Sequence, residues 1–132
     1  MPTEMSTDLM YLVWTVALCV VQMLIAVIAA QLQVGLPTLA GNREPLPALT
    51  GLAGRAQRAH TNMLENLPLF AALVLVAAVS GHANATTAMG AMIFFWARVV
   101  YVGIYLAGIP FARTAIWAVS MVGLVTIFLQ LI

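Results

Sequence analysis

The chain has 132 residues, 64% of them hydrophobic and 7% charged, and its mean hydropathy is +1.05. This composition excludes a water-soluble globule, whose surface needs several times more charge, and the length allows one domain, residues 1–132. All five basic residues are arginine, which favours fixed, bidentate recognition of anions. The single cysteine, Cys19, rules out an internal disulfide and any cysteine-based metal site, and no metal site is expected.

The first apolar run, LMYLVWTVALCVVQMLIAVIAA, is about twice as long as a signal-peptide core, and no Lys or Arg precedes it. It reads as a permanent span over residues 9–34. GLPTLAGNREPLPALTG follows, a Gly- and Pro-rich stretch expected to be non-helical. The second span, 53–80, begins with the polar stretch RAQRAHTNMLENLPLF and ends in AALVLVAAVS, with Pro68 expected to kink it. SGHANATT makes a polar turn into a third span, 86–108, which Gly108 and Pro110 close ahead of a fourth, 112–132. Gly90, Gly103 and Gly123 are expected to permit close helix approach. The fold class expected is all-α, an integral membrane four-helix bundle.

Arginine placement orients the bundle. Arg43, Arg55 and Arg58 flank the first connection and Arg113 sits at the third, while the termini and second connection carry none. The positive-inside rule then puts both termini outside and both arginine-bearing connections in the cytoplasm.

The apolar part of the second span, Leu67 to Ser80, rises only about 21 Å against a hydrocarbon core about 30 Å thick. Residues of the polar stretch must therefore lie inside the membrane. Counted from Ser80, Glu65 is roughly 23 Å deep and Asn62 roughly 27 Å. In the third span Arg98, Tyr101 and Tyr105 reach similar depths. Arg55, Arg58, Asn62 and Glu65 form one helical stripe, and Arg98, Tyr101 and Tyr105 form a second. Charges at such depth are expected to face the interior, with Arg98 and Glu65 able to pair. Four arginines around one carboxylate leave surplus positive charge, the complement of an anionic ligand.

RAQRAHTNMLENLPLF, followed one helix later by RVVYVGIYLAGIPFAR, resembles the MAPEG family, the membrane-associated proteins of eicosanoid and glutathione metabolism. The resemblance, closest to bacterial and microsomal glutathione transferases, implies a homotrimer with glutathione between neighbouring subunits near the cytoplasmic side. It implies a transferase or peroxidase that activates the glutathione thiolate against lipophilic electrophiles or hydroperoxides. Arg113 would be the catalytic residue at the sulfur. Arg58, Asn62 and Glu65 would hold the tripeptide's backbone and charged ends, Tyr101 and Tyr105 would line the pocket, and Arg55, Arg98 and Asn66 would assist. The implied partners are glutathione, a lipophilic small molecule and membrane lipids, with no nucleic acid, in a bacterial inner membrane. Two departures stand out: Gln31 and Gln33 occupy the region where characterised enzymes often carry a first-helix arginine, and Asn66 stands where some members have tyrosine.

Other polar and aromatic residues read more plainly. His60 is expected to face headgroups and His82 solvent, Cys19 to pack, and Trp14, Trp96 and Trp117 to meet lipid or core. Two other functions compete with the enzyme: a non-catalytic lipid or metabolite binder on the same scaffold, and a small multidrug exporter. An exporter needs a carboxylate near mid-membrane, usually in its first helix, and Leu9 to Gln33 contains none.

Overall fold

The computed structural model describes residues 4–41 and 47–132, so Arg43, one of the orienting arginines, lies outside the described residues. Five helices follow in order: α1 (Thr7–Val34), α2 (Leu36–Ala40), α3 (Gly51–Ser80), α4 (Ala85–Ala107) and α5 (Pro110–Leu129). All but α2 are long and apolar enough to cross a membrane. The protein is an all-α, integral membrane chain with four spanning helices. The longest is α3, with 30 residues against 20 in α5. About 20 residues suffice to cross the hydrocarbon. The turns that α3 has to spare carry Arg55 and Arg58 to the hydrocarbon edge.

The helix ends obey local chemistry. Gly35, Gly81 and Gly108 take positive φ and stop α1, α3 and α4. Asn84 and Thr87 form a reciprocal capping box at the start of α4. Pro110 opens α5, where its missing N–H costs nothing. The same logic explains α2, which falls in the stretch expected to be non-helical: Pro37 stands in its first turn, where proline starts a helix as readily as it ends one. α3 continues as one helix through Pro68.

Small residues decide how the helices meet. Ala26 and Ala29 of α1 pack on Ala53 and Ala56 of α3, with Ile25, Leu49 and Leu106 around them. Phe70 stacks on Phe94 with ring centres 4.2 Å apart, joining α3 to α4. Around this pair Val74, Ala91, Leu124 and Ile127 complete a buried cluster. Gly90 and Gly123 put the backbones of α4 and α5 in contact: a Cβ added at Gly90 would lie 2.7 Å from the Gly123 carbonyl oxygen, and one at Gly123 2.6 Å from that of Gly90. Gly103 does not share this role, since nothing lies within 4 Å of its Cβ position. It looks out from the bundle.

At the end of the bundle away from the arginines, Thr87 Oγ1 lies 3.2 Å from the carboxylate of the buried Asp8, and Asn84 Nδ2 donates to Gln130 Oε1 at 3.0 Å. These contacts tie the start of α1 and the end of α5 to α4. At the other end Gln33 straps the connection: its Nε2 donates to the Ala48 carbonyl and its Oε1 accepts from the Thr50 amide, both at 3.0 Å.

Candidate functional site

The long polar start of α3 lies beside the last turns of α4 and the first of α5. Between them is a cleft in two compartments. The larger, about 350 Å³, is walled by Arg58, Asn62 and Glu65 with Gln57 and Thr61 of α3, and by Tyr101 and Tyr105 of α4. The smaller, about 180 Å³, has Arg113, Thr114 and Trp117 of α5 on one side. Asn62 and Tyr101 border both, so the compartments adjoin. The larger falls within the usual range for small-molecule sites, roughly 300–1,000 Å³.

Guanidinium groups clasp the two tyrosines. Arg98 stands over the Tyr101 ring with its central carbon 4.1 Å from the centroid, and Arg113 stands over Tyr105 at 4.8 Å. The tyrosine rings are themselves 5.4 Å apart. Arg58 donates from Nε to the Tyr105 hydroxyl at 3.3 Å. One tyrosine therefore joins the second-helix stripe to the arginine that opens α5. Asn66 is buried and donates to the Asn62 backbone carbonyl at 2.6 Å and to its Oδ1 at 3.1 Å. It positions Asn62 and does not line the cleft.

Several expectations need correction. Arg58 and Glu65 do not turn into the bundle; both are exposed on its flank, because a four-helix protomer is too thin to enclose this much polar surface. Arg98 does not pair with Glu65. It is completely buried and among the described residues its three guanidinium nitrogens have no hydrogen-bond partner, so the Tyr101 ring is the group set against its charge. Arg55 lies away from the cleft wall, where its Nε donates to the Leu106 carbonyl at 3.0 Å and closes the end of α4. His60 is partly buried, with Nδ1 unpartnered among the described residues, at a separate cavity of about 420 Å³ among Ala26, Val27, Leu36, Leu39 and Leu49. Although this cavity is the larger, its walls are mostly apolar and the converging charges are in the cleft.

Trp117 is the main cleft residue that the sequence reads as packing or lipid contact. Its spacing from Arg113, i and i+4, is the available signal for a shared face. Gly54 lines neither compartment but bears on the cleft: a Cβ there would lie 2.8 Å from the Leu49 carbonyl and 3.1 Å from Nη1 of Arg58, so glycine leaves room for that arginine.

Four membrane-length helices and a lateral cleft lined by arginine and tyrosine define an integral membrane protein with a polar site at one end of its bundle. The model of the MAPEG family matches residues 11–132, and the chain belongs to that family, a family of membrane enzymes associated with glutathione. No curated protein and no solved structure matches it.

Proposed function

We propose that the protein is a glutathione-dependent membrane transferase or peroxidase that works as a homotrimer, with its cleft at the cytoplasmic side. The observation that carries this reading is the meeting of Arg113 and Arg58 on Tyr105, in a cleft that also presents Glu65 two turns along α3. Opposite charges along one wall suit the carboxylates and ammonium of a zwitterionic peptide. A second guanidinium, on α5, suits its sulfur.

A free thiol of pKa near 8.5 is only a few per cent thiolate at neutral pH, and the thiolate is the nucleophile. A cation in a low-dielectric cleft lowers that pKa, each unit corresponding to about 1.4 kcal/mol. Such a protein needs no cysteine of its own: the peptide brings the nucleophile and the bilayer brings the electrophile. The exposure of Glu65 at membrane depth supports the trimer, since a charged group there needs a neighbouring subunit to shield it from lipid.

A second reading, a non-catalytic lipid or metabolite binder, draws support from α1. Gln31 and Gln33 supply no cation, and Gln33 is engaged by the connection. The apolar 420 Å³ cavity also suits a lipophile.

Calorimetry of the detergent-purified protein separates the two. Glutathione and its thiol-free analogue should both bind, glutathione releasing a proton as its thiol ionises. No heat from either would eliminate the enzyme.

A further inference from the structure

The cavity of about 420 Å³ beside α1 takes no part in the gathering of arginines. Its apolar walls come from α1, from α2 and from Leu49, and among the described residues they carry no arginine, aspartate or glutamate. Of its wall residues only Gln57 also borders the cleft. Inside this apolar space His60 Nδ1 is buried, with no hydrogen-bond partner among the described residues. Such an atom is rare in a folded protein and destabilising while it stays unpaired. A second group in the same condition is near: Gln22 is 3% exposed and neither of its amide atoms has a partner. Ala26 and Ala29 of α1 meet Ala53 and Ala56 of α3, and Gln22 and His60 continue these two stripes by one turn in the antiparallel register. The two unpartnered groups therefore stand at one height beside the seam between the helices.

Depth adds a further constraint. Counted back from Ser80, His60 lies about 30 Å along α3, about the thickness of the hydrocarbon core. That is the level of a lipid's glycerol. From there the exposed side chains of Val27, Met23 and Val20 run along the outside of α1 and offer a track for an acyl chain.

We propose that this cavity is a lipid site, and that its ligand is an uncharged glycerolipid with free hydroxyls, such as a monoacylglycerol, bound through a hydroxyl on His60 Nδ1. A hydroxyl both donates and accepts, so it serves either tautomer of the ring, whereas an ester carbonyl serves only one. The second hydroxyl of the same glycerol suits the amide of Gln22. A phosphate or carboxylate would meet no cation on the wall, and an unpaired charge is excluded from such a space. The volume falls within the usual range for small-molecule sites. The site is separate from the cleft, so the proposal does not depend on the transferase reading.

The test uses the assembled protein in phosphatidylcholine nanodiscs, photolabelled with a monoacylglycerol that carries a diazirine in its chain. Label should concentrate in residues 20–40, and monoolein should compete for it while oleic acid and phosphatidylglycerol do not. His60→Phe is similar in size and lacks the nitrogen; it should weaken labelling about fivefold, as loss of one hydrogen bond does. His60→Asn, which restores a polar atom at that distance, should recover most of the loss. Val27→Phe, on the exposed part of the wall, should block the site without disturbing the core. Label spread evenly over all the lipid-facing helices overturns the proposal, as does equal competition by oleic acid or phosphatidylglycerol, or unchanged labelling of both His60→Phe and Val27→Phe. Label that reaches residues 20–40 only after the oligomer is dissociated would assign the cavity to a second copy of the chain, and also overturns it. Glutathione enters no arm, so a positive result stands even if the transferase reading fails.

Discussion

The guanidinium of Arg98 rests on the ring of Tyr101, 4.1 Å from its centroid, and among the described residues no hydrogen-bond acceptor shares its charge. A desolvated cation–π contact contributes about 2 kcal/mol. Tyr101→Leu removes it and leaves a bare buried charge, so stability should fall by on the order of 2 kcal/mol or more. Arg98→Met removes the charge and keeps the volume, and should be close to neutral. The double variant should therefore be more stable than Tyr101→Leu alone. Thermal unfolding in detergent reads this directly; additive losses would show that the ring does not neutralise the arginine.

Arg113 and Arg58 should fail in different ways. Arg113→Ala removes the cation from the sulfur end and should reduce saturated turnover about a hundredfold, with glutathione affinity held within about tenfold, some 1.4 kcal/mol. The ultraviolet absorbance of bound thiolate should disappear with it. Arg58→Ala should weaken binding, removing most of the rise in melting temperature that glutathione produces by mass action. Wild-type turnover in Arg113→Ala would leave that residue as an interfacial anchor.

The oligomer is a separate expectation. Glu65 opens sideways from the protomer at a depth where lipid would otherwise meet it, and Arg58 does so at the hydrocarbon edge. Native mass spectrometry from mild detergent should give a trimer. A stable monomer would mean that these side chains meet water or headgroups through a locally thinned bilayer.

Orientation rests on Arg55, Arg58 and Arg113, which the fold gathers at one end of the bundle, with Arg43 outside the described residues. A reporter fused after Ile132 should behave as exported. A cytoplasmic reporter signal would reverse the bundle and move the cleft to the opposite leaflet.

The spans were legible in the sequence because apolar runs of this length have one stable form in lipid, and because Gly81, Gly108 and Pro110 mark their ends. The stripe of Arg58, Asn62 and Glu65 was legible for the same reason: helical spacing puts the three on one face, and they meet again in the cleft. Direction around the bundle was harder to read. Depth arithmetic put Arg98 near Glu65 in height, yet height says nothing of azimuth, and the guanidinium found a ring. Trp117 was not legible as a cleft residue because one tryptophan in an apolar span looks the same in sequence whether it faces lipid or lines a cleft. Pro37 was read as a breaker because the same ring starts a helix or ends one according to its position in the turn.

The bare backbone contact between Gly90 and Gly123 has a mechanical consequence. Two helices touching through main-chain atoms have no side-chain cushion to compress, so α4 and α5 act as one stiff plate carrying Tyr101, Tyr105, Arg113 and Trp117 in fixed relation. Across the cleft, α3 is joined to that plate at both heights, by the Phe70–Phe94 pair and, at the arginine end, by Ala59 against Tyr101 and Tyr105 and the bonds of Arg55 and Arg58 to Leu106 and Tyr105. The walls that a molecule in the cleft would meet are therefore held from both sides.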